Sequence, residues 1–150
     1  PETIGRLKRL KQLSLEDNAI TELPESIGQL TKLNDLSLRN NRLTKLPETI
    51  GKLKKLGELH LERNQLTELP ESIGDLRRLG RLFLKDNLLT ELPYSMKYLA
   101  RVYVLTLWNN ALVPLTESTK KVLKALEEQL RISDFEYLPE QNQNELIART

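Results

Sequence analysis

Five asparagines stand 23 residues apart, at Asn18, Asn41, Asn64, Asn87 and Asn110. The same leucines surround each of them. Leu10 to Ile20 reads L-K-Q-L-S-L-E-D-N-A-I, and Leu56 to Leu66 reads L-G-E-L-H-L-E-R-N-Q-L. A unit of this length cannot close a core alone. It buries its apolar face only by stacking on neighbouring copies. The period therefore demands an elongated, repetitive core and excludes ordinary globular packing.

The copies stay in phase along the chain. The first leucine of the pattern is Leu10, Leu33, Leu56 or Leu79, with Val102 in the fifth copy. The pairs Leu13/Leu15, Leu36/Leu38, Leu59/Leu61, Leu82/Leu84 and Leu105/Leu107 alternate with other residues. Alternation is the mark of a strand with one buried face. The return path is L-P-E-S-I-G-Q-L from Leu23 to Leu30, repeated almost unchanged at Leu46–Leu53 and Leu69–Leu76. Pro24, Pro47, Pro70 and Pro93 suit the start of a short helical turn, where a missing N–H costs nothing. Ile27, Ile50 and Ile73, with Leu30, Leu53 and Leu76, then face the core from the opposite wall.

The asparagines follow from the same geometry. After each strand the chain must bend toward the interior, which buries backbone groups that have no ladder partner. An asparagine amide donates and accepts, so a stacked column of them satisfies both kinds of group. Aspartate lacks the donor and leucine lacks both.

Read in full, L-x-x-L-x-L-x-x-N-x-L followed by L-P-x-x-I-G-x-L resembles the leucine-rich repeat family. The 23-residue form is similar to the Ras-group type of intracellular scaffold, to Roco proteins and to bacterial intracellular leucine-rich repeat proteins. The resemblance implies an α/β solenoid. Its parallel β-sheet would line the concave side of an arc, with short helical turns on the convex side. It also implies a protein partner bound on the concave face.

The repeats occupy residues 1–115. Leu115 is in phase with Leu92, but Thr116 stands where proline is expected. The following T-E-S-T-K-K-V-L-K-A-L-E-E-Q-L predicts a true helix. Thr116 is its N-cap, Glu117 favours the first turn, and Val122, Leu123, Leu126 and Leu130 form a helical stripe. We read 116–138 as a C-terminal cap, finished by Ile132, Phe135, Tyr137 and Leu138. The alternative is a linker helix toward a further domain. Residues 139–150 are polar and expected to be mobile. Pro1 is in phase with Pro24. Further repeats are expected before it, and an uncapped edge there would invite self-association.

Composition narrows the function. Lysine and arginine total 23 against 21 aspartates and glutamates, a net charge of +2. A dedicated nucleic-acid binder carries a clear basic excess, so none is expected. A basic column (Arg9, Lys32, Lys55, Arg78, Arg101) runs beside an acidic row (Glu25, Glu48, Glu71), as on an ordinary solvated surface. The chain has no cysteine, which rules out disulfides, thiolate metal sites and a cysteine nucleophile within it. Together with the absence of an N-x-S/T sequon, this favours a cytoplasmic setting. No apolar run reaches the ~18 residues of a membrane span. Phosphate-loop, zinc-protease and serine-elbow motifs are absent. We expect no enzyme, but a non-catalytic protein-interaction module. The alternatives are a recognition domain cut from a larger enzyme or signalling protein, or a structural spacer.

The residues between the inward leucines should face the concave surface. The candidate partner-binding set is Asp35, Ser37, Arg39, Glu58, His60, Glu62, Arg63, Arg81, Phe83, Lys85, Val104, Thr106 and Trp108. The early copies are polar here. The later ones carry Phe83, Val104 and Trp108, with His60 beside them, and exposed aromatics are the residues that dominate interfaces. The competing expectation is that the segment around Phe135 and Tyr137 folds back over them. His60 is the only histidine. Glu58 and Glu62 flank it and Asp35 is near, but no ligand spacing of the usual kind is present. Neither a metal nor a cofactor is expected.

Overall fold

The computed structural model describes residues 2–112 and 114–130. Each repeat contributes one short strand and one 3-10 turn. The strands are β1 (Gln12–Ser14), β2 (Asp35–Ser37), β3 (Glu58–His60), β4 (Arg81–Phe83) and β5 (Val104–Thr106). They form one parallel sheet in chain order, the solenoid the period demanded. Leu13, Leu36, Leu59, Leu82 and Leu105 stand in register across it. Each strand is short because the inward bend follows at once. Pairing still continues past it, as Leu38 N donates to His60 O at 2.8 Å and Leu61 N to Phe83 O at 2.9 Å.

The return turns span Glu2–Arg6, Glu25–Gln29, Glu48–Lys52, Glu71–Asp75 and Tyr94–Tyr98. The prolines sit one residue before four of these turns, not inside them. Pro24 has φ −69° and ψ 151°, and its carbonyl accepts from Ile27 N at 3.0 Å. Its fixed φ shapes the entry to the turn. Ile27, Ile50 and Ile73 are fully buried against the leucines from the sheet.

Glycine is required where neighbouring turns meet. A Cβ on Gly28 would lie 2.7 Å from Thr49 O, and one on Gly74 would collide with Ser95 O. The fifth turn breaks this column, since Lys97 stands at the glycine position. No similar turn stacks on it. The helix α1 (Glu117–Leu130) packs there instead.

The asparagine column works as expected in four copies. Asn64 Nδ2 donates to Leu38 O at 3.0 Å and Leu61 O at 3.1 Å, and its Oδ1 accepts from Leu43 N at 3.0 Å. Asn41, Asn87 and Asn110 repeat the scheme, each reaching back to the preceding repeat. Asn18 is exposed, and its amide bonds locally to Leu15 O and Glu16 O.

Helix α1 begins as predicted. Thr119 N donates to Thr116 Oγ1 at 3.1 Å, the N-cap bond. Val122, Leu123 and Leu126 join the core. Thr119 is fully buried, and its Oγ1 accepts from Leu92 N at 2.9 Å, meeting a backbone donor of the last repeat. The expected cap residues Ile132, Phe135, Tyr137 and Leu138, and the tail 139–150, lie outside the described residues.

Candidate functional site

The strand register places two columns of side chains on the open face of the sheet. One is Gln12, Asp35, Glu58, Arg81 and Val104, and the other is Ser14, Ser37, His60, Phe83 and Thr106. Glu16, Arg39, Glu62, Lys85 and Trp108 follow just past the strands. Depth varies sharply along these columns. Arg39 and Arg81 are exposed, while Asp35, Glu58, His60, Phe83, Lys85, Val104 and Trp108 are half-buried.

Three expected contact residues are nearly shut. Ser37 is 6% exposed, Thr106 7% and Glu62 8%. Ser37 Oγ donates to Glu16 Oε1 at 2.5 Å, and Thr106 Oγ1 accepts from Leu84 N at 3.2 Å. These short side chains fold down onto the sheet and leave little for a partner to touch.

Arg63 stands in the bend that follows its strand. With Asp17, Asn40, Asp86 and Asn109 it forms a column with φ between 55° and 59°. This is the left-handed turn that launches the inward bend, where Asn and Asp are the usual non-glycine residues. Asn40 Nδ2 donates to Asp17 Oδ1 at 2.7 Å, and Asn109 Nδ2 to Asp86 Oδ1 at 2.5 Å. Arg63 is exposed and its Nε reaches Asp86 Oδ2 at 3.8 Å.

The aromatic cluster is brought together in part. The His60 and Phe83 rings stack with centroids 4.5 Å apart and planes 13° from parallel. Lys85 Nζ lies 4.6 Å from the Trp108 ring centre, a cation–π contact. Arg81 Nη1 lies 3.6 Å from Glu58 Oε1, and its Nε donates to Tyr103 Oη at 2.8 Å. Around His60 the charge is negative. The Glu62 carboxylate beside Nδ1 holds the imidazole above its ordinary pKa, burial opposes this, and Glu58 and Asp35 add to the rise.

A second aromatic group was not foreseen. Lys97 Nζ lies 3.8 Å from the Tyr94 ring centre and 4.9 Å from that of Tyr98, while the Arg77 guanidinium lies 5.1 Å from the Tyr98 ring. The hydrogen bond to Lys97 lowers the Tyr94 pKa, and the same contact raises that of Lys97. The signal was present, since Y-S-M-K-Y replaces the E-[ST]-I-G template in this turn. The basic column Arg9, Lys32, Lys55, Arg78 and Arg101 is exposed throughout.

Comparison with known families agrees with this geometry. A model described as "Leucine-rich repeat region" matches residues 33–147, and one described as "Leucine Rich repeats (2 copies)" matches residues 8–48. The chain belongs to the leucine-rich repeat family. A leucine-rich repeat protein of Leptospira interrogans is 38% identical over 85% of the chain, with a TM-score of 0.77. The plant peptide hormone receptor RGFR1, solved in complex with RGF2, is 33% identical over 73% of the chain, with a TM-score of 0.69. The leucine-rich repeat domain of the type III effector XopL is 26% identical over 92%, with a TM-score of 0.78. The chain spans 31% of the Leptospira protein, 18% of the receptor and 47% of the effector domain. No curated protein matches it. Among the described residues, no helix of this leucine-rich repeat chain is long and apolar enough to cross a membrane.

Proposed function

We propose that the chain is a non-catalytic recognition module that docks a protein partner on the C-terminal half of its concave face. The observation that carries this reading is the pair of half-buried aromatics on the open sheet. Phe83 is stacked on His60, and Trp108 is held against Lys85. Both rings sit on or beside paired backbone, so docking freezes few rotamers and loses little ordering entropy. Lys85 against Trp108 and Arg81 two residues from Phe83 on β4 set the charge a partner must match. Family membership supports the reading. So do the plant peptide hormone receptor RGFR1, solved in complex with RGF2, and the PEPR1-AtPEP1 structure.

The test is the double variant Phe83→Ala/Trp108→Ala, checked for an unchanged circular dichroism spectrum and melting point. A partner captured by the wild-type chain is then titrated against both forms. Each anchor should contribute about 2 kcal/mol or more, so the double variant should lose most of its affinity. Equal affinity for both forms rejects this surface.

A further inference from the structure

On β2 and β3 the sheet gathers an imidazole and two carboxylates that partner docking does not explain. His60 Nε2 lies 3.3 Å from Glu58 Oε2 and 3.9 Å from Asp35 Oδ1. The three ligand atoms all fall within 4.8 Å of one another. Zinc bonds to nitrogen and carboxylate oxygen of about 2.0–2.2 Å, arranged tetrahedrally, set ligand atoms roughly 3.3–3.6 Å apart. The Glu58 edge already has this length, and the Asp35 edge needs only a small side-chain shift.

Two further features point to a cation. Asp35 and Glu58 are directly paired across the β2–β3 ladder, an arrangement of like charges that destabilises a sheet. Arg81 relieves one Glu58 oxygen, at 3.6 Å. The second feature is Glu62. Its side chain is only 10% exposed, its Oε1 faces His60 Nδ1 at 3.6 Å, and its buried Oε2 has no hydrogen-bond partner. Burying a carboxylate oxygen in this way is costly without nearby positive charge. A carboxylate behind the second nitrogen of a metal-bound histidine holds the proton on that nitrogen and frees the other lone pair. The stacked Phe83 ring fixes the imidazole plane as well.

We propose that Asp35, Glu58 and His60 form a binding site for a divalent cation of the zinc class, with Glu62 as the positioning residue behind His60. The imidazole selects zinc over calcium or magnesium, which prefer all-oxygen shells. The two carboxylates and His60 are each partly exposed, so water completes the coordination. The sequence places these residues near one another but shows no usual ligand spacing, because they come from two repeats and pair only across the ladder.

The experiment is a calorimetric titration of the metal-free full chain with Zn²⁺ alone, with Mg²⁺ as the second arm. One equivalent of zinc should bind and magnesium should not. His60→Ala should abolish binding. Glu58→Gln should weaken it at least tenfold, and Glu62→Gln by about 10–100-fold, the usual effect of losing such an outer carboxylate. Arg81→Gln should tighten it by removing an opposing charge. Circular dichroism checks that each variant is folded, and Glu62→Gln keeps every ligand if His60→Ala fails that check. The proposal is overturned by an absence of zinc binding, by zinc binding that survives His60→Ala, or by equal binding of magnesium. No partner is present in the cell, so the result is independent of the docking test.

Discussion

The two ends of the sheet carry the same motif and bury it to different depths. Next to α1, Leu105 is 1% exposed and Leu107 is fully buried. In the first repeat, Leu10, Leu13 and Leu15 are only partly buried. Leu7, in the same region, is 51% exposed. In the asparagine column Asn18 is exposed, Asn41, Asn64 and Asn87 are buried, and Asn110 next to α1 is half-buried. A motif position therefore has no stability of its own. It acquires one from the layer on either side, as a quasi-one-dimensional stack requires. For residues 1–150 taken alone, the α1 end should hold while the β1 end opens first.

The strongest test of this contrast uses one column at both ends. Leu105→Ala should cost about 2–5 kcal/mol, as deletions in closed cores do. Leu13→Ala should cost clearly less, because part of the side chain already meets water. Urea denaturation measures both, and equal losses would break the comparison. The asparagines come next. Asn87→Ala strands Leu66 N and removes one of the two asparagine donors at Leu61 O and at Leu84 O, at about 1–3 kcal/mol for an orphaned buried group. Asn18→Ala should cost no more than about 1 kcal/mol, since its bonds are local and exposed. Thr119→Val keeps the shape of α1 but removes the acceptor for Leu92 N. It should cost about 1–2 kcal/mol and speed exchange of the Leu92 amide specifically. The smallest effect is a gain. Arg63→Asn relieves the left-handed strain at φ 56° and should stabilise the chain by roughly 1 kcal/mol. Arg63 lies mid-stack, so that substitution should shift the melting point without changing the difference between the ends.

Periodic features were legible in the sequence because spacing alone determines them. The strand register, the asparagine column and the inward leucines all follow from the 23-residue phase. Helix α1 was legible because Thr116 and the Val122–Leu126 stripe leave that phase for a helical one. Depth was not legible. Ser37, Glu62 and Thr106 share a face with His60 and Phe83, but side-chain length and the neighbouring strand decide which of them reaches solvent. The left-handed column left a trace, since four of its five members are Asn or Asp. That trace does not by itself reveal the turn, because turn strain and exposure favour the same residues. The carboxylates around His60 were named from the sequence, but the direct pairing of Asp35 with Glu58 is a property of the ladder.

The glycine column and its end at Lys97 also govern how such a chain changes length. A duplicated 23-residue block inserted ahead of the fifth repeat meets a glycine on one side and a small hydroxyl residue on the other, and slides into phase. The same block placed after the fifth repeat would set the Lys97 side chain where the next turn must rest. Growth by tandem duplication is thus open in the interior and barred at Lys97, and each interior insertion lengthens the concave face by one strand without disturbing the helix that closes it.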